Sequence, residues 1–143
     1  MMDAPTITDI LNELLNLELN SLPIRMIESG AFISARLRTD FVHVTSMAKS
    51  ARTHAGALAD LIQSLGDSPQ PTPPSLDSAG YHFQELAHVR ALLISQQAQT
   101  VQKYQTAAQR VSKSPRAAAL LGAILEDHRH TLAAWSAQKN ARG

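Results

Sequence analysis

Residues 66 to 80 read GDSPQPTPPSLDSAG, and four prolines and two glycines in fifteen positions leave no room for a helix. On either side apolar residues recur at helical spacing. Fifteen extended residues reach on the order of 50 Å, whereas a helix of about 26 residues is roughly 39 Å long. The break can therefore run the whole length of a helical bundle and start the next helix parallel to the one before it. A short hairpin would have forced that pair antiparallel. The alternative is a slack loop or a linker between two domains. Neither half has an obvious complete core of its own, so one bundle with a crossover at 66–80 is expected over residues 1–143.

Four helices are expected, at about 6–33, 40–65, 81–111 and 115–138. Thr6 or Thr8 can cap the first, and Asp9 puts an acid in its first turn, where the helix dipole favours one. Its apolar arc holds Ile7, Leu11, Leu14, Leu15, Leu22 and Met26, and Pro23 within it predicts a kink. The second helix, from Arg38 or Asp40 to Leu65, carries Val44, Met47, Ala51, His54, Leu58, Leu61 and Leu65 on one stripe and ends at Gly66. The third shows Leu86, Leu93, Gln97, Val101, Tyr104 and Ala108 on one face. Ser114 as N-cap and Pro115 at the first position open the fourth. Its stripe is assigned to Leu120, Ile124, Asp127, Thr131 and Ala134, with Lys139–Gly143 as a frayed tail.

Each helix thus carries a polar residue near the middle of its buried stripe: Glu18, His54, Gln97, and the pair Asp127 and His130 in LGAILEDHRHTLAAW. Three residues apart, Asp127 and His130 can aim an oxygen and a nitrogen at one point. One such residue would mean little, because a lone histidine on an apolar face is more often a satisfied core group than a ligand. Packing brings four mid-helix levels together, and carboxylates, imidazoles and a cation can compensate one another there. The remaining histidines read differently. His43 is placed near a helix end, His82 and His88 on a surface or dimer contact, and His128, turned about 100° from Asp127, on the surface. Trp135, Tyr81 and Phe83 read as core or interface anchors.

The totals remove several function classes. Thirteen basic and twelve acidic residues nearly cancel, which gives no electrostatic case for nucleic acid or an anionic membrane. Without cysteine there is no disulfide, thiolate metal site or thiol chemistry. No apolar run approaches the roughly 20 residues of a membrane span. The start MMDAPTITD lacks the pattern of a signal peptide, so a cytoplasmic protein is expected.

The layout resembles the ferritin-like superfamily, including bacterioferritins and rubrerythrins, over nearly the whole chain. In that superfamily two helix pairs joined by a long crossover hold two metals, each pair supplying a Glu on its first helix and a Glu-x-x-His on its second. The first Glu is often followed seven residues later by a Tyr. In NELLNLELNSLPIR the resemblance puts Glu18 at the first carboxylate and Arg25 where the Tyr would stand. MAKSARTHAGALADLIQSLGDSP puts His54 at the histidine, with Ala51 in place of its Glu. In ISQQAQTVQKY, Gln97 takes the second-pair Glu position and Tyr104 the Tyr. In ILEDHRHTLAAW, Asp127 replaces the Glu and His130 is the histidine.

What this implies is an all-α, ferritin-like up-down-down-up four-helix bundle with a degenerate di-iron site, acting as a homodimer. Two carboxylates where a di-iron site has four leave too little charge for two dications, so full ferroxidase or di-iron oxidase activity is not expected. Glu18, His54, Asp127 and His130 can hold one transition metal, iron, zinc or manganese, at about 2.0–2.2 Å. Gln97 and Tyr104 would support them, in a redox or stress role. In the competing reading Arg25 supplies the positive charge instead, and the chain is a metal-free scaffold serving as a structural or protein-interaction module.

Overall fold

The computed structural model of the protein describes residues 6–24, 38–71 and 86–142. They form four long helices, α1 (Ile7–Leu19), α2 (Arg38–Ser64), α3 (Leu86–Arg110) and α4 (Pro115–Arg142), with no strand among the described residues. The expected all-α class is observed.

The helix ends follow from local chemistry. Thr6 is the N-cap of α1, its side chain accepting from the Asp9 backbone N–H while the Asp9 carboxylate accepts from the Thr6 N–H, a reciprocal capping box. The first helix was expected as one kinked rod to about residue 33, but α1 stops at Leu19. Pro23 explains the position, because a proline ring clashes with the carbonyl four residues earlier, here that of Leu19, and has no N–H to offer. Asn20 caps the end with its backbone N–H on Asn16 O, and residues 22–24 start a new helical turn. Arg25 and Met26 lie outside the described residues. At the end of α2, Gly66 takes φ +89°, a left-handed conformation that favours glycine. Its N–H reaches Gln63 O and that of Asp67 reaches Ile62 O, a Schellman closure. Ser114 caps α4 as expected, its carbonyl accepting from Ala118 N–H and its hydroxyl from Ala117 N–H. That helix runs on to Arg142, past the expected end near 138. Tyr81, His82 and Phe83 lie outside the described residues, as do most of 66–80 and the side chains of His43 and His88.

The main interfaces are α1 with α2 and α3 with α4. One apolar layer joins Ile10 and Leu14 of α1, Leu58 and Leu61 of α2, Tyr104 and Ala107 of α3, and Leu121 and Ile124 of α4. A second joins Leu22, Val44, Leu93 and Trp135. The C-terminal halves of α2 and α3 thus share one end of the bundle with the N-terminal halves of α1 and α4. At the other end the Trp135 indole N–H donates to Met47 Sδ over 2.8 Å. Between the layers lies a polar level made by Glu18, His54, Gln97 and His128, all buried.

The first residues after α2 turn back along α1. Thr8 Oγ1 donates to Asp67 Oδ2 at 2.7 Å, Gln70 N–H to Asn12 Oδ1 at 2.8 Å, and Asn16 Nδ2 to Gln70 O at 3.0 Å. Asn12 and Asn16, one turn apart, hold both backbone groups of Gln70. Asn12→Ala is expected to cost about 1 kcal/mol, a fall of roughly 3 °C in melting temperature for a domain of this size. Thermal unfolding followed by circular dichroism measures it, and an unchanged midpoint would show that the clamp is solvent-exchanged and idle.

Candidate metal centre

Glu18 occupies the last turn of α1 and is 2% exposed, on the stripe that also buries Leu11, Leu14 and Leu15. Burial pushes its carboxyl pKa up, but the His128 and His54 imidazoles and the Tyr104 hydroxyl outweigh that and hold it below its ordinary value. Glu18 Oε2 accepts from Tyr104 O–H at 2.6 Å and from His128 Nε2–H at 2.8 Å. Burial raises the Tyr104 phenol strongly, and the adjacent Glu18 charge adds to it, so Tyr104 is a permanent donor.

His54 reaches the same oxygen from α2. Its Nδ1 stands 3.3 Å from Glu18 Oε2, out of line for a hydrogen bond, and has no hydrogen-bond partner although it is fully enclosed. Its Nε2 lies 3.1 Å from Asp127 Oδ2. Burial lowers the His54 pKa, while the Glu18 and Asp127 carboxylates raise it by more, so the net shift is upward.

His128 is the residue that sequence reasoning missed. It was placed on the surface, with Asp127, Thr131 and Ala134 on the buried stripe. Among the residues of α4 whose burial is described, Ala117, Leu121, Ile124, Leu125, His128 and Trp135 are buried, whereas Asp127 and Ala134 are exposed and Thr131 is half-buried. The helix is turned by about one residue, roughly 100°, from the expected phase. His128 sits between two buried partners: Gln97 Nε2 donates to its Nδ1 at 2.8 Å, and its Nε2 faces Glu18. The amide also donates to the His128 carbonyl at 3.0 Å, which assigns the hydrogen of the neutral ring to Nε2. The imidazoles of His54 and His128 meet edge to face, 4.9 Å between centroids.

Of the residues expected at the site, Glu18 and His54 stand in the cluster, and Gln97 and Tyr104 support it through His128 and Glu18. The Asp127 side chain is 67% exposed and touches the cluster only through His54. His130 is exposed and outside it.

The donor set suits a cation once His128 Nε2 gives up its hydrogen, which requires the Gln97 amide to turn so that its oxygen accepts from Nδ1–H. Glu18, His54 and His128 each offer a ligand atom, and those atoms lie within 4.8 Å of one another. Ligand atoms about 2.1 Å from a common ion lie roughly 3.0–3.4 Å apart. The 3.3 Å and 2.8 Å separations from Oε2 are close to that range. Asp127 accepting from His54 Nε2–H would leave the Nδ1 lone pair for a metal, the usual way a carboxylate orients a ligating imidazole.

These groups also set an acid–base profile for the metal-free protein. Glu18 has a lowered pKa when folded, so its contribution is present above about 4.5 and lost as the pH falls through the lowered value. His54 has a raised pKa, so its contribution is present below about 6.5 and lost as the pH rises through the raised value. Wild-type stability from this pair is therefore expected to peak between those limits and to fall above pH 6.5. Urea midpoints at pH 5.5, 7 and 8.5 check this, with His54→Ala expected to flatten the alkaline limb.

The chain matches no protein-family model, and no curated protein and no solved structure is significantly similar to it.

Proposed function

We propose that this chain is a ferritin-like bundle that binds one divalent transition metal through Glu18, His54 and His128. The observation that carries the proposal is the convergence of three buried ligand atoms, one of which, His54 Nδ1, is enclosed without a hydrogen-bond partner. Among the described residues its only compensation is a 3.3 Å approach to Glu18 Oε2 without an aligned hydrogen bond, and a metal would supply a direct bond there. Two imidazoles and one carboxylate form a ligand set used for zinc and for non-haem iron, with coordination positions left open. A single buried carboxylate neutralises too little charge for two dications.

The helix order supports the bundle assignment, since α2 and α3 end at the same end, as an up-down-down-up arrangement with a crossover requires. In that template each Glu-x-x-His would keep its histidine, His54 and His128, and have an apolar residue, Ala51 and Leu125, three positions earlier. Gln97 would stand where the second pair has its Glu.

A second reading has its own support. Tyr104 and His128 already donate to Glu18, and Gln97 completes His128, so the network is nearly closed without an ion. In that case the bundle is a metal-free scaffold for protein interaction. Metal content of untagged protein, grown with iron, manganese or zinc, separates the two. The metal reading expects about one equivalent that disappears in His54→Ala, and trace metal of every kind in every preparation would sink it. A redox role and a homodimer belong to the same proposal and are tested by oxidation of the loaded metal and by sedimentation.

A further inference from the structure

A cavity of about 30 Å³ adjoins the cluster, lined by Glu18, Ser21, His54, Gln97, Thr100 and His128 among others. A water needs on the order of 10–15 Å³ of such space, so the space beside the cluster takes about two water-sized groups. Among the described residues, two enclosed side-chain atoms have no hydrogen-bond partner, His54 Nδ1 and Ser21 Oγ, and both residues line this cavity. The metal reading accounts for the first and leaves the second unexplained.

Ser21 is held where it stands. It occupies the break between α1 and the turn at 22–24, with its own N–H on Glu18 O at 3.2 Å and the next N–H, of Leu22, on Gln96 Oε1 at 2.8 Å. Charge indicates what its hydroxyl would meet. A dication with one coordinating carboxylate and two neutral imidazoles leaves +1 among the buried ligands, and the next carboxylate, Asp127, lies beyond His54 with its side chain 67% exposed, where solvent screens it. One small monoanion would cancel it.

We propose that the cavity binds a monoanion of one to three non-hydrogen atoms, hydroxide being the smallest, and that Ser21 is the positioning residue that donates to it. This rests on the metal reading above. The recognised class is set by the small space beside the cluster, net charge and one orphaned donor.

The test is a titration of azide into the full chain loaded with cobalt(II), followed by the visible bands of the metal. Wild type is expected to show a saturable change with azide and none with benzoate. Ser21→Ala is expected to keep one equivalent of cobalt and to bind azide at least about tenfold more weakly, as loss of a hydrogen bond to a charged group implies. Ser21→Thr, which keeps the hydroxyl, should restore the affinity. Equal azide affinity in Ser21→Ala would overturn the role of Ser21 while leaving the metal site standing. A benzoate response like that of azide would overturn the size limit. Absence of cobalt bands in wild type would overturn the metal reading, and the anion site with it.

Discussion

Glu18→Ala is expected to cost about 3–5 kcal/mol of folding stability, the range for breaking one side of a buried charged pair, and, under the proposed metal reading, to abolish metal binding. Glu18 Oε2 accepts from Tyr104 and His128 and faces His54. Truncation leaves a hydroxyl and two imidazoles facing an apolar void, and the enclosed His54 loses the buried one of the two carboxylates that raise its pKa. Glu18→Gln separates charge from shape. Its amide keeps the volume and still accepts a hydrogen bond, so the loss should fall to about 1–3 kcal/mol, yet a neutral amide is a poor ligand and the metal should still be lost. Urea unfolding with metal analysis of the same samples gives both numbers. A change below about 1 kcal/mol in Glu18→Ala, as for surface substitutions, would mean that the carboxylate is solvated and the cluster open.

Much of this arrangement is legible in the residues themselves, and what is not has a physical cause. The caps at Thr6, Gly66 and Ser114 are local, because each satisfies backbone groups within a few residues of itself. Glu18, His54 and Gln97 are legible because apolar neighbours at three and four residues fix which way α1, α2 and α3 face. The end of α1 was misjudged because Pro23 can either kink a helix or end one, and Asn20 and Ser21 supply the hydrogen bonds that favour an ending. The fourth helix is different in kind. Alanine and leucine surround it, so it has almost no amphipathic bias and its facing cannot be read from hydrophobicity alone. Asp127 and His130 then set the assumed phase by their chemistry. A better signal was present: Leu121, His128 and Trp135 stand at sevenfold spacing, and a core Trp135 requires His128 inward.

That rotation of α4 separates His128→Ala from His130→Ala. Removing the His128 ring takes a donor from Glu18 and the Nδ1 acceptor from Gln97, and empties a buried site beside Tyr104. A cost of about 2–4 kcal/mol is expected from the unpaired groups and the void together. Under the proposed metal reading, removing one of three ligands should weaken metal binding by at least about a hundredfold, since even loss of an outer partner costs 10–100-fold. His130 is exposed and outside the cluster, so His130→Ala should stay within about 0.5 kcal/mol of wild type and keep its metal. A double-mutant cycle of His128→Ala with Glu18→Gln should show a coupling of about 0.5–3 kcal/mol, the range for contacting residues, and the same cycle with His130→Ala should show none. Metal lost in His130→Ala and kept in His128→Ala would place the Asp127 and His130 face of α4 against Glu18.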